Sequence, residues 1–354
     1  MHALAITEQG IHVHVEGETL LLRQGDQVVR RVRLAEIHEV ILFGRVELSS
    51  AAVAALVRRK IDVVYLTRQG YFRARLLGPG SPSAALRLEQ LRRALDPVFC
   101  VRVARALAAG KVLHQRQILL RAQRKLQDED LAGVLGRLRL LAERLRTEDN
   151  LDAVRGLEGM AAALYFSQFG KLLLSPAVTF QGRSRRPPRD PVNACLSFGY
   201  ALLGNVVETE VLRCGFDPLL GFFHQPHPGR PSLALDVLEE FRPFIDSLVL
   251  RLVNRQQLGP VDFERRGGPE LAELLADETG EDGTAPEQAV EGVYLADTGR
   301  RVFLAEFFRR LRERLFYPPR QGAYELRDVV REQVYHLARV VRGEDNDYAA
   351  FVPG

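Results

Sequence analysis

The sequence predicts an α+β chain of two domains, a small β-rich domain followed by a larger all-helical one, and three observations carry that expectation. Over residues 3–77 apolar side chains alternate in short runs between turn pairs, the period of half-buried strands. Residues 78–83 read GPGSPS, where glycine and proline stop either regular element. From residue 84 onward apolar residues recur at threes and fours, the period of amphipathic helices.

In order, strands are predicted at 4–7, 11–15, 19–23, 27–34 and 37–43, separated by Gln9-Gly10, Glu16-Gly17 and Gln24-Gly25-Asp26. An amphipathic helix over 49–59, with Ser50 as its cap, leads to strands at 61–66 and 71–77. His12 and His14 alternate on one strand face, which reads as a half-exposed strand rather than as a pair of metal ligands. Hairpins leave sheet edges, so residues 1–78 are assigned as a dimerisation domain, 79–84 as a linker and 85–354 as a helical catalytic domain.

Helical periodicity covers 84–95, 98–125, 131–146, 151–169 and 192–214. Arg102, Arg105, Lys111, Arg116, Arg121 and Arg124 collect on the second of these, which reads as a solvated basic face. In the fourth, Glu158 lies on the apolar stripe of Val154, Leu157, Ala161 and Tyr165, so it needs a partner, either an arginine or a metal ion. Gly156 and Gly159 weaken that helix and predict a second helix packed closely against them. Residues 182–190, GRSRRPPRD, set Arg183, Arg185, Arg186 and Arg189 on a loop before a helix capped by Asp190, a candidate phosphate clamp. On that helix Asn193, Ser197 and Tyr200 form a polar seam.

The stretch 221–243, GFFHQPHPGRPSLALDVLEEFRP, puts His224 on a proline-broken loop that folds back before a helix starting at Ser232. Asp236, Glu239 and Glu240 are neighbours on that helix at spacings of three and four, where like charges repel unless a cation intervenes. Asp236 also interrupts the run Leu233, Ala234, Leu235, Val237, Leu238, where an unpaired charge is costly. Pro243 is expected to kink or end the helix, and residues 244–253 to continue it. Residues 266–292 read as a mobile acidic insertion, 302–316 and 325–341 as two final helices, and 343–354 as a loose tail.

Composition narrows the function. The chain has 46% hydrophobic and 27% charged residues, with no run of about 18 apolar residues able to span a bilayer. Its N-terminus lacks the pattern of a secretory signal, and Cys100, Cys195 and Cys214 are neither even in number nor spaced as zinc ligands, which predicts a cytoplasmic protein without a disulfide framework. The net charge of +4 hides an asymmetry: residues 1–150 carry 25 Lys and Arg against 16 Asp and Glu, whereas 256–354 carry 13 against 19. The basic half is the candidate polyanion surface. There is no HExxH motif and no P-loop.

Glu158, His224 and Asp236 come from three segments that each call for a partner, and a hard divalent cation, Mg²⁺ or Mn²⁺, would satisfy all three and suit phosphodiester chemistry. The blocks RGLEGMAAALYF, DPVNACLSFGYALL and DPLLGFFHQPHPGRPSLALDVLEEFRP, after a hairpin-rich first domain, resemble the CRISPR-associated Cas-one integrase family. The resemblance implies that Glu158, His224 and Asp236 are catalytic and hold the metal, with Glu239 at a further acidic position and His227 displaced from the motif by its place in the loop. It further implies a homodimer that assembles with the Cas-two protein and inserts spacer DNA into a CRISPR array by 3′-hydroxyl transesterification. Tyr165, Asn193 and Tyr200 carry over as accessory residues; Arg183, Arg185, Arg186 and Arg189, on the loop between the Glu158 and Asn193 helices, and Arg230 are expected to contact double-stranded DNA. The alternatives are a structure-selective nuclease on branched DNA and a non-catalytic DNA-binding scaffold.

Overall fold

A computed structural model describes residues 2–68, 70, 72–76, 78, 83–176, 178–184, 187–267 and 291–354. The chain separates into two compact units, Met1–Gly80 and Ser81–Gly354.

The first unit holds strands β1 (His2–Ile6), β2 (Ile11–Glu16), β3 (Thr19–Gln24), β4 (Gln27–Arg33), β5 (Ile37–Phe43), β6 (Val46–Leu48), β7 (Asp62–Leu66) and β8 (Phe72–Leu76). They form two four-stranded sheets, ordered β1-β5-β7-β8 and β4-β3-β2-β6. The hairpins β2–β3 and β3–β4 follow the turn signals, with Gly17 and Gly25 supplying the positive φ those turns need. Parallel pairing of β1 with β5, β5 with β7 and β2 with β6 comes from long-range contacts that no local turn encodes. Helix α1 (Ser50–Arg58) makes the crossover to β7, and its cap is Ser49, not Ser50: the Ser49 hydroxyl accepts from the Ala52 N–H at 3.2 Å. Leu4, Ile6, Val13, Leu20, Leu22, Val40, Leu42, Leu56 and Val63 form one buried core, while His12 and His14 stay on the exposed face of β2.

The second unit is mostly helical: α2 (Ala84–Ala94), α3 (Pro97–Leu126), α4 (Glu129–Thr147), α5 (Leu151–Phe169), α6 (Pro191–Cys214), α7 (Ser232–Asn254), α8 (Asp297–Leu311) and α9 (Leu326–Arg342). Five of them begin at side-chain caps that accept backbone N–H groups: Ser83, Asp96, Asp128, Asn150 and Asp190. Helix α3 packs against α4, α5 and α7, and α7 packs in turn against α6.

Several expectations need correction. The unit is not all helix, because β9 (Phe263–Arg266) pairs with β10 (Gly292–Leu295) and β11 (Arg314–Tyr317) with β12 (Gly322–Glu325). Helix α8 ends at Leu311 and residues 314–317 are extended, since Pro318 and Pro319 disfavour helix just before them. Helix α7 runs through Pro243 to Asn254, where burial on most of its faces outweighs one missing N–H. A Cβ at Gly156 or Gly159 would meet nothing within 4 Å, so among the described residues no helix packs closely against them. The segment after α9 is not loose: Tyr348 and Phe351 are buried, and the Phe351 ring stacks on Phe244. Of the acidic insertion 266–292, residues 268–290 lie outside the described part.

Candidate active site

Helix α7 is where the site begins. Four of its carboxylates, Asp236, Glu239, Glu240 and Asp246, are at most 5% exposed, so none forms the wetted charged face that helical carboxylates usually form. Each has its own partners. Asp236 is surrounded by the loop in front of the helix: its Oδ2 accepts from the N–H groups of Phe222 (2.6 Å) and Phe223 (2.9 Å), and its Oδ1 from the N–H of His224 (2.8 Å). The His224 Nδ1 lies 2.7 Å from the same Oδ1. The loop comes this close because residue 221 is glycine; a Cβ there would sit 2.8 Å from Asp236 Oδ2 and 2.9 Å from Ser232 Cβ. From α5, Arg155 donates to the Phe223 carbonyl through Nε (3.1 Å) and Nη2 (2.6 Å), fixing the loop from its other side.

A carboxylate only accepts, so the His224 Nδ1 that faces Asp236 carries a proton, and the ring's other nitrogen, Nε2, points away from Asp236. Nε2 lies 3.9 Å from Glu239 Oε1. Glu239 Oε1 also takes the Arg242 Nε at 2.9 Å, and its Oε2 takes the Lys111 ammonium at 2.5 Å. Lys111 reaches from α3 and also contacts Glu158 Oε1, from α5, at 2.5 Å. The two glutamate oxygens therefore share one cation and are at most 5.0 Å apart. Burial disfavours both charged partners, yet Arg242 and then Lys111 hold the Glu239 carboxyl below its ordinary range. Against the same burial, Glu239 and Glu158 raise the Lys111 ammonium, so the pair stays ionised. Among the described residues no three carboxylate, imidazole or thiol groups are already gathered as a metal site, because the carboxylates close on Lys111 instead.

Beneath this layer lies a second polar group. The Tyr200 hydroxyl donates to Asp246 at 2.5 Å, and the Arg242 and Arg183 guanidinium groups lie 4.8 and 5.5 Å from the centre of the Tyr200 ring. Burial pushes the Asp246 carboxyl up to about 6. The fully buried Tyr165 hydroxyl lies near Asp246 without hydrogen-bond geometry. Tyr165 and Tyr200 thus sit within the protein interior. Asn193 staples its loop: Nδ2 donates to the Gly182 carbonyl (2.8 Å) and Asp190 (2.6 Å), while Oδ1 accepts from Ser184 N–H (3.0 Å).

The structure therefore joins Glu158 and Glu239 through Lys111 and sets His224 Nε2 near Glu239, whereas both Asp236 oxygens are occupied by the loop. His227 is exposed, with Nδ1 at 3.2 Å from the Pro228 carbonyl. Arg183 is drawn inward onto Asn193 (2.8 Å), Arg189 is exposed, Arg230 is half-buried, and Arg185 and Arg186 lie outside the described residues. Sequence reasoning missed Arg155 and Arg242 and misread Lys111, which is 6% exposed rather than solvated. The signal was present: Lys111 falls on the stripe of Ala104, Leu107, Ala108, Gln115 and Ile118, all buried.

Fold and site together define a class, a two-domain α+β protein whose helical domain buries carboxylates and an imidazole around a shared positive charge. Within that class the chain belongs to the CRISPR-associated Cas1 family, since a family profile described as CRISPR associated protein Cas1 matches residues 4–282. A Rhodospirillum rubrum protein named CRISPR-associated endonuclease Cas1 2 is 34% identical, over 98% of this chain and 97% of its own length. A second protein of that organism, a CRISPR-associated exonuclease Cas4/endonuclease Cas1 fusion, is 35% identical over 97% of this chain, which spans only 56% of the fusion. Three solved structures share the fold. A Cas1 protein of Thermotoga maritima has a TM-score of 0.77 at 22% identity, covering 97% of each chain. A casposase bound to integration product has 0.78 at 22%, covering 99% of this chain and 93% of its own. A Cas6-RT-Cas1–Cas2 complex has 0.79 at 21%, covering 99% of this chain and 36% of its own. Among the described residues no helix is long and apolar enough to cross a membrane.

Proposed function

We propose that this chain is the metal-dependent integrase of CRISPR adaptation, joining spacer DNA to a CRISPR array, and that Glu158, His224 and Glu239 hold the cation. The observation that carries this reading is the convergence of metal-ligand side chains: two glutamate oxygens on one ammonium, and His224 Nε2 3.9 Å from one of those carboxylates. Two carboxylates with one imidazole are a ligand set that suits Mn²⁺ or Mg²⁺. The sequence reading placed Asp236 in this set. Its oxygens are taken by three backbone N–H groups and the imidazole, so its part is to hold His224 in the tautomer and direction a ligand needs.

When bound, a divalent cation there would supply charge for the transferring phosphodiester and for the attacking or leaving oxygen. The protein's own residues do the rest. Arg242 keeps Glu239 ionised, and Arg155 anchors the His224 loop to the helix that carries Glu158. A fragment end held beside the site gives its 3′-hydroxyl a high effective concentration over water, which favours joining over hydrolysis. The casposase neighbour is bound to an integration product and another neighbour is a complex with Cas2, which supports joining as the activity and DNA and Cas2 as partners; a second copy of this chain is proposed as a further partner from the family resemblance.

The test incubates a spacer duplex, a CRISPR plasmid, Cas2 and Mn²⁺ with this protein, with ordinary or 3′-dideoxy ends. Joined product is expected only with free hydroxyls. Joining that survives blocked ends rules the mechanism out; nicking without joining under every condition favours the nuclease reading, and no reaction at all favours the scaffold.

A further inference from the structure

The Lys111 ammonium lies on the carboxylate oxygens that the proposed function gives to a metal. Its side chain is 7% exposed and bridges α5 and α7 from α3. Lys111 and Arg242 balance Glu158 and Glu239, two positive charges against two negative, so this group of four is neutral without any added ion. A divalent cation bonded to the same oxygens at about 2.0–2.2 Å would face the ammonium at a spacing where Coulomb repulsion is strong, so the two occupants exclude each other.

The residue type fits such an exchange. The chain uses 45 arginines and only four lysines, yet a lysine stands here. An arginine fork would grip two carboxylates through several fixed hydrogen bonds, whereas an ammonium is a single charge on a flexible stem that can withdraw. The direction of withdrawal is open as well: the Glu158 side chain is 20% exposed against 7% for Glu239, so the cluster meets solvent on the Glu158 side. A DNA phosphate arriving there offers the displaced ammonium a new partner.

We propose that Lys111 is a built-in competitor for the metal, a resident cation that keeps the carboxylates paired in the free protein, holds metal affinity down, and leaves its place when metal enters. This rests on the metal reading above, and the test separates the two. Mn²⁺ alone is titrated calorimetrically into the wild-type protein, Lys111→Gln, Lys111→Arg and, as the control for site identity, Glu239→Gln. Lys111→Gln is expected to bind Mn²⁺ roughly tenfold or more tightly than wild type, and Lys111→Arg more weakly by a similar factor. Unchanged or weaker binding by a folded Lys111→Gln, with wild type still binding in a Glu239-dependent way, overturns the proposal and leaves the metal reading standing. Absence of Glu239-dependent Mn²⁺ binding in every variant overturns both.

A second measurement needs no variant. Lysine acetylation of the wild-type protein is read by peptide mass spectrometry, with exposed Lys60 and Lys125 as internal references. Lys111 is expected to be protected without metal and to gain reactivity at saturating Mg²⁺. Protection that persists at saturating Mg²⁺ overturns the proposal even where Lys111→Gln fails to fold.

Discussion

Asp236 provides the sharpest test of how the site is built. In the arrangement described, its two oxygens take four hydrogen bonds, three from backbone N–H groups of the His224 loop and one from the imidazole. Asparagine has the same shape but only one accepting oxygen, and its amide hydrogens would face donors on the other side. Two of the four bonds are lost, and hydrogen bonds to a charged acceptor contribute about 1.5–3 kcal/mol each, so Asp236→Asn should cost roughly 3–6 kcal/mol. At about 2–4 °C per kcal/mol for a domain of this size, thermal melting followed by circular dichroism should fall by on the order of 10 °C. Asp236→Ala, which leaves three buried donors without a partner, should fall further. A metal ligand with no bracing part would behave differently. If Asp236→Asn melts within about 2 °C of the wild type and has lost Mn²⁺ binding, the bracing argument fails and Asp236 returns to the ligand set.

Glu239→Gln is expected to abolish Mn²⁺ binding by calorimetry. Gly221→Ala forces a Cβ to within 2.8 Å of Asp236 Oδ2, so its melting temperature and joining rate should fall together, although position 221 touches no substrate. Burial pushes the Glu240 carboxyl up to about 7 from an ordinary 4.5, so its protonated form favours folding. That stabilisation is full below pH 4.5 and is lost as pH rises through 7, a change on the order of 3 kcal/mol. Urea midpoints of Glu240→Gln should therefore decline less than those of the wild type between these pH values. Exposed Arg189, replaced by Ala, should lower the salt slope of DNA binding by about one, whereas half-buried Arg183, replaced by Ala, should mainly lower stability.

Much of this was legible in the residues. Helix periods and caps are local, so α3 to α7 could be placed closely, and the turn pairs marked the hairpins of the first unit. Parallel strand pairing was not legible, because residues such as Leu4 and Val40 meet across a separation that no short pattern encodes. Glu158, His224 and the acidic helix stood out as polar groups among apolar ones. Which carboxylate faces the imidazole nitrogen and which faces the loop is a matter of side-chain direction one helical turn apart, and spacing alone left Asp236 and Glu239 equivalent. Lys111 was hidden by its company, since a lysine among surface arginines reads as surface until the stripe it shares with Ala104, Leu107 and Ala108 is counted. Phe351 could not be foreseen as core, because what draws it in is a carboxylate 111 positions earlier.

That last contact bears on how the protein is made. Glu240 accepts from the Tyr348 hydroxyl and the Phe351 N–H, across 108 and 111 residues, and its neighbour Glu239 depends on Lys111, 128 residues upstream. During synthesis α7 emerges with its acidic residues only partly provided for, and burying it then would strand Glu240 without donors. The helical unit therefore has to wait for a segment made about a hundred residues later before its central helix can settle. A ribosome paused between residues 254 and 348 would hold an open helical unit, with the surroundings of Glu240 among the last parts to take shape.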